Sequence, residues 1–103
     1  MVEPLVINPY DVDSTRFIRV AGEIDIATAP QLAAVLDECD GKAVCVDLAD
    51  VTFVDSYALS VLSKAHRRAV EHGAAFTVRN TAANVRKVFE VTKLDYMLAV
   101  EPK

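Results

Sequence analysis

The stretch VDLADVTFVDSYALSVL, residues 46–62, decides the fold. Together with Ala43, Val44 and Cys45 just before it, the run through Val46 and Leu48 is almost continuously apolar. A strand exposed on one face alternates apolar and polar residues, so an unbroken run predicts a strand buried on both faces, as in a parallel sheet. The pattern then changes period. After a short loop, Leu59, Leu62, His66 and Val70 recur at helical spacing, with Lys64, Arg67, Arg68 and Glu71 largely on the polar side. This predicts an amphipathic helix that begins near Ser56 and stops at Gly73.

Working outward, residues 3–9 (EPLVINP) and 16–22 (RFIRVAG) read as strands. In the second, Phe17, Arg19 and Ala21 face one way and Ile18 and Val20 the other. The polar segment Asp11–Thr15 between them is turn-like, so an antiparallel hairpin is expected. Thr28, Pro30 and Gln31 mark a helix start: Thr28 as cap, Gln31 at the capping-box position, and Pro in the first turn, where its missing N–H has no partner to lose. Leu32, Val35, Leu36 and Cys39 follow on one stripe, and Gly41 ends it. Downstream, residues 74–79 read as a strand and Asn80 or Thr81 as the cap of a third helix. Val85, Val88 and Phe89 form its apolar stripe, and residues 95–100 are expected to be a last strand. The order is β-β-α-β-α-β-α-β. The fold class is α/β, with a mostly parallel mixed sheet packed by helices, and residues 1–103 form one domain without repeat or linker.

Composition removes several functions. The formal net charge is −4 and there is no basic run, which argues against nucleic-acid binding through phosphates. No apolar stretch reaches the ~18 residues that span a membrane. The N-terminal MVEPLVINPYDVD lacks the basic and apolar regions of a signal peptide, so a cytoplasmic location is expected. Cys39 and Cys45 then read as free, core-type residues, and with His66 and His72 they do not make a zinc pattern. His66 falls on the apolar side of its helix as a core or boundary residue. His72 lies near the helix C-terminus, where it can interact with the dipole. No metal or cofactor is implied.

Two segments concentrate the chemistry. In the first, Ser56 follows Asp55 at a helix start and reads as the N-cap. A hydroxyl placed there, after a strand, is accessible to a partner. A phosphate on it would add about −1.5 to −2 charges beside Asp55 while facing free N–H groups and the positive end of the helix dipole. In the second, Gly22-Glu23-Ile24-Asp25, Gly permits a sharp exit from the strand and Asp25 starts the loop to the first helix. Asp25 reads either as a solvated Asx-turn carboxylate or as an interface residue near the Ser56 loop.

Three motifs in order carry a resemblance to the STAS domains of bacterial anti-sigma factor antagonists. They are GEID at 22–25 followed by Thr28 and Ala29, VDLADVTFVDSYALSVL at 46–62, and AANVRKVFEVTKLDYMLAV at 82–100. The likeness runs from about residue 3 to 101. It implies that Ser56 is the phosphoacceptor, that Asp55 is the motif aspartate, and that Asp25 is the acidic residue near the acceptor. The implied function is non-enzymatic. The unphosphorylated protein binds an anti-sigma factor, often a serine kinase, and so releases a sigma factor; the kinase then phosphorylates Ser56 and a phosphatase resets it. Tyr57 and Ala58 stand where the family usually has Ser or Thr and then Gly. Tyr57, large and in the first turn, is a further candidate partner-binding residue.

Two other readings stay open. One is a STAS interaction module that works without phosphorylation. The other is a receiver-like phosphoryl-transfer domain using Asp47, Asp50 and Asp55. Against the second, no acidic pair follows the first strand and no phosphate-binding glycine motif exists in a chain with three glycines. For the same reason, calorimetry of the pure protein with ATP should give no tight binding; a tight isotherm would overturn this reading.

Overall fold

Strand β3 (Ala43–Val54) is the longest strand of a five-stranded sheet and lies at its centre. It pairs in parallel with β2 (Thr15–Ile24) on one side and with β4 (Phe76–Thr81) on the other. The edges are β1 (Val6–Val12), antiparallel to β2, and β5 (Val100–Pro102), parallel to β4. The sheet order β1-β2-β3-β4-β5 follows the chain. Parallel neighbours need a crossover, and α1 (Ala29–Asp37), α2 (Ser56–Glu71) and α3 (Ala83–Val91) occupy the three crossovers. The computed structural model describes residues 3–39, 41–94 and 98–102.

The two faces of the sheet differ. Ile18, Val46 and Val78 form one rung across β2, β3 and β4, and all three are fully buried. They share a single cluster with Leu32 and Leu36 of α1, Leu59 and Leu62 of α2, and Val85 and Phe89 of α3. All three helices therefore pack on this face. Each fully buried Val, Leu, Ile or Phe contributes about 1.5–3 kcal/mol. The exposed Arg68–Asp37 bridge at 2.8 Å between α2 and α1 contributes at most about 1 kcal/mol, so apolar burial, not ion pairing, holds the helices.

The next rung, Arg19–Asp47–Arg79, points to the other face. There Tyr10 stacks on Phe17 at 5.4 Å, and the Arg79 guanidinium lies over the Phe17 ring at 5.1 Å. That last contact joins β2 to β4 across β3, and Cys45, on β3 between them, is buried. Cys39 and Cys45 are both free and buried, and burial pushes the Cys39 thiol up from its ordinary range.

The β-β-α-β-α-β-α-β order and the mixed, mostly parallel sheet are as expected. Several boundaries and roles differ. The first hairpin strand is shifted to Val6–Val12 from 3–9, the second is longer than 16–22, and the turn narrows to Asp13-Ser14, with Asp13 at φ +55°, a conformation Asp tolerates. Helix α1 ends at Asp37, so Cys39 lies beyond the helix although still buried. Gln31 does not close a capping box; its Oε1 accepts from Leu5 N–H at 2.8 Å. Neither Asn80 nor Thr81 caps α3, which starts after Ala82 without a side-chain cap. Asn80, at φ +60°, donates to Asp47 at 3.1 Å, and the Thr81 hydroxyl donates to the Glu101 carbonyl at 2.8 Å. The last strand begins at Val100, with Leu98 and Ala99 in a turn; residues 95–97 of the expected strand lie outside the described residues.

On α2, Ala69 takes the buried position expected of Val70, which is 59% exposed. The buried set Ala58, Leu59, Leu62 and Ala69 centres on the Leu62–Ala69 side of the helix, and Val70 falls beyond its Leu59 edge. His66 is half-buried and meets Phe76 edge-on at 6.2 Å, a boundary role. Gly73, at φ +68°, ends the turn after α2, in a conformation that side chains rarely adopt. This arrangement predicts a sharp asymmetry on one helix. Leu62→Ala should cost about 2–5 kcal/mol, whereas Val70→Ala should stay within about 0.5 kcal/mol, measured by urea unfolding. Similar losses at both positions would contradict the packing.

Candidate functional site

The candidate residues lie where two parallel strands end together. Ile24 of β2 pairs with Val54 of β3, and the Asp55 N–H donates to the Ile24 carbonyl at 3.2 Å. The residues immediately following this rung, Asp25 and Asp55, open two loops on one rim. No free loop separates β3 from α2: the strand runs through Val54, Asp55 alone intervenes, and the helix starts at Ser56.

Asp55, not Ser56, is therefore the N-cap. Its backbone is extended (φ −124°, ψ −170°), and its Oδ1 accepts from the N–H of Tyr57 at 2.9 Å and of Ala58 at 3.2 Å. Asp and Ser are nearly equal as caps, so residue type could not separate them. The strand decides, because the cap must be the first residue outside it. Ser56 is thereby the first helical residue and is exposed.

Asp25 is committed to its own loop. Its Oδ1 accepts from Ala27 N–H at 2.9 Å and Thr28 N–H at 3.0 Å, which is the Asx-turn geometry. Thr28 completes the lock: its hydroxyl donates to the Glu23 carbonyl at 2.7 Å and accepts from Asp25 N–H at 2.9 Å. Thr28 occupies the N-cap position of α1 without a side-chain bond into the helix. The loop between β2 and α1 is thus held from within and presents Ile26, 59% exposed, beside the site. Sequence reading did not single out Ile26, since one apolar residue in a loop has no periodicity to mark it.

Tyr57 is 51% exposed, as expected of a first-turn residue. With Ile26, Ala29, Ser60, Val61 and Lys64 it lines an open groove of about 450 Å³ between α1 and α2. The groove is mostly apolar, and Tyr57, the residue after Ser56, forms part of its wall.

The three carboxylates of the receiver-like reading do not converge. Asp47 is buried on the sheet, accepting from Ala49 N–H and Asn80 Nδ2, with Arg79 at 3.7 Å. Asp50 pairs with Arg19 at 3.0 Å, and Asp55 caps α2. Among the described residues no group of three or more His, Cys, Asp or Glu side chains is placed to hold a metal. No helix among them is long and apolar enough to cross a membrane.

The capping assignment is testable by itself. Asp55→Ala should lose about 0.5–2 kcal/mol in thermal or urea unfolding, and Asp55→Asn should lose much less, since Asn caps comparably. An equal loss in Ser56→Ala would return the capping role to the serine.

Comparison with known proteins agrees with this geometry. The family model "Mlab, STAS domain" matches residues 11–99. The "Anti-sigma-B factor antagonist" of Bacillus subtilis (strain 168) is 26% identical over 88 residues, covering 84% of this chain and 81% of that protein. Among solved structures, an anti-sigma factor antagonist from Mycobacterium paratuberculosis superposes with a TM-score of 0.83 at 27% identity, covering 96% of this chain and 86% of that one. The Bacillus cell fate determinant SpoIIAA in its phosphorylated form superposes with a TM-score of 0.74 at 18% identity, covering 95% and 92%, a likeness of fold. With the strand order, the rim at which β2 and β3 end together and a family match across most of its length, this chain belongs to the STAS domain family.

Proposed function

We propose that this protein is an anti-sigma factor antagonist: it binds an anti-sigma factor, frees the sigma factor that the latter holds, and is switched by phosphorylation of Ser56. The observation that carries this reading is the division of labour at the start of α2. Asp55 takes the capping bonds, which leaves the exposed Ser56 hydroxyl at the rim without a capping duty. The anti-sigma factor antagonists similar to this chain in sequence and structure support the partner class. The anti-sigma factor is proposed to be a serine kinase that phosphorylates its own ligand, with a phosphatase resetting the cycle. The role is binding, not catalysis.

The cap also bears on how a phosphate would act. Two amides at the helix N-terminus that would otherwise attract it are already taken by Asp55. The phosphate would meet a carboxylate next door and turn outward, so its effect falls on the partner and not on the fold. At an interface shaped for a hydroxyl, a charge left poorly paired costs several kcal/mol, and each ~1.4 kcal/mol is tenfold in affinity. Tyr57 with the groove it borders, and Asp25 on the same rim, are the proposed contact surface around it.

The test is a binding titration of wild type, Ser56→Ala and Ser56→Glu against the cognate anti-sigma factor, with and without ATP. Ser56→Glu should bind at least tenfold more weakly, and Ser56→Ala should bind but stay unmodified by ATP in mass spectrometry. Thermal unfolding should move by only a few degrees. Equal affinity of wild type and Ser56→Glu, with wild type also unmodified by ATP, would leave an interaction module that works without phosphorylation.

A further inference from the structure

The four residues between β2 and α1, Asp25 to Thr28, hold one another in place. The Asp25 carbonyl accepts from Thr28 N–H at 3.2 Å and from Ala29 N–H at 2.7 Å, and the Asp25 carboxylate accepts from Ala27 and Thr28 N–H. The Thr28 hydroxyl pins the arrangement to the end of β2. It donates to the Glu23 carbonyl at 2.7 Å and accepts from Asp25 N–H at 2.9 Å, and Thr28 is only 2% exposed. A buried hydroxyl in both roles is hard to replace, because its removal leaves a carbonyl and an amide without their partner. It does not cap α1, since it makes no bond into the helix. Its work is confined to the loop.

Ile26 stands apart from its neighbours. Among the described residues it alone of the four enters no hydrogen bond. Its side chain is exposed, and it neither belongs to the apolar cluster nor packs against it. The fold gains little from this side chain, yet it fixes the backbone on both sides of it. One exposed apolar residue needs no explanation by itself. Here the residue is β-branched and stiff at χ1, so burying it against a partner loses little rotamer freedom. It also shares the wall of the α1–α2 groove with Tyr57. Where loop and side chain are ordered before binding, little ordering is left to oppose it, and the burial of such a residue appears in the affinity.

We infer that Ile26 is an apolar anchor for the anti-sigma factor, received by a hydrophobic pocket of that partner, and that Thr28 is the positioning residue that presents it. The inference rests on the partner class proposed above and not on the phosphorylation of Ser56. Thr28 is too buried to touch the partner. It acts through the backbone on either side of Ile26: the Glu23 carbonyl and Asp25 N–H before it, and its own N–H, held by Asp25, after it.

A double-mutant cycle tests both roles, read by calorimetric titration of the full chain against the cognate anti-sigma factor. Ile26→Ala should weaken binding by about tenfold or more and leave thermal unfolding as in wild type, since the side chain lies outside the core. Thr28→Val keeps the size and removes the hydroxyl. It should weaken binding by a similar factor and speed amide exchange at Ala27 and Thr28 in the free protein, and Thr28→Ser, which keeps the hydroxyl, should restore both. In the Ile26→Ala background, Thr28→Val should weaken binding by less than about threefold further, because residues that act as a unit are not additive. Additive losses would make Thr28 a structural residue only and overturn its positioning role. Undiminished binding by Ile26→Ala would remove the anchor, and that single variant decides it even if Thr28→Val folds poorly. A wild type that does not bind the anti-sigma factor would strike the proposed partner itself and the anchor with it, a result distinct from binding that is indifferent to Ile26.

Discussion

Parallel pairing of β3 with both neighbours is the constraint on which the rest of this molecule depends. Parallel strands finish on the same edge, so the residues after Ile24 and Val54, which are partners in register, must leave the sheet side by side. Each must then turn toward a crossover helix, β3 directly and β2 through the four residues 25–28. Turning a buried strand into a helix exposes amides that need acceptors. A carboxylate directly after each strand supplies them: Asp25 to Ala27 and Thr28, Asp55 to Tyr57 and Ala58. The rim is thus a consequence of the sheet, and its two aspartates are structural before they are anything else.

That economy shapes the candidate site. Because Asp55 satisfies the helix start, Ser56 is released from it, one position into the helix and exposed. Modification there would leave the capping bonds intact and change only what a partner meets. The locked β2–α1 loop beside it keeps Ile26 in place next to Tyr57, so the surface around the serine is preformed. The departures from the family pattern at Tyr57 and Ala58 divide along the same line. Ala58 is fully buried, where a methyl group in place of glycine favours the helix by about 0.8–1 kcal/mol. Tyr57 is exposed and borders the groove.

The two faces of the sheet divide the energetics. Toward the helices, one apolar cluster gathers residues from all three helices and from alternating positions of the strands, and its burial outweighs any surface ion pair by an order of magnitude. Away from them, a buried carboxylate needs partners. Asp47 finds them in Asn80, Arg79 and its own strand's Ala49 N–H, and Arg79 in turn covers Phe17. Asn80 adopts a left-handed backbone at φ +60°, which Asn tolerates better than most residues, and so ties the end of β4 to β3.

The sequence by itself determined the element order, the parallel character of β3, the alternation of β2 and the apolar stripes with Leu59, Leu62, Val85 and Phe89, while the nearness of Asp25 to Ser56 was implied only by the family resemblance. The elements and stripes follow from periodicity and from local residue preferences, which act over a few positions along the chain. Which of two adjacent, equally good caps serves the helix did not follow, because that depends on how far β3 continues once it is paired on both sides. The same holds for Gln31, which serves Leu5 twenty-six residues away and not its own helix. It holds for Val70, which falls beyond the Leu59 edge of the buried side of α2, and for Asp47, whose burial becomes affordable only when β4 brings Asn80 and Arg79 beside it. Each of these outcomes is a competition between local and long-range partners, and only the folded chain, by fixing which groups meet across the sheet, decides the winner.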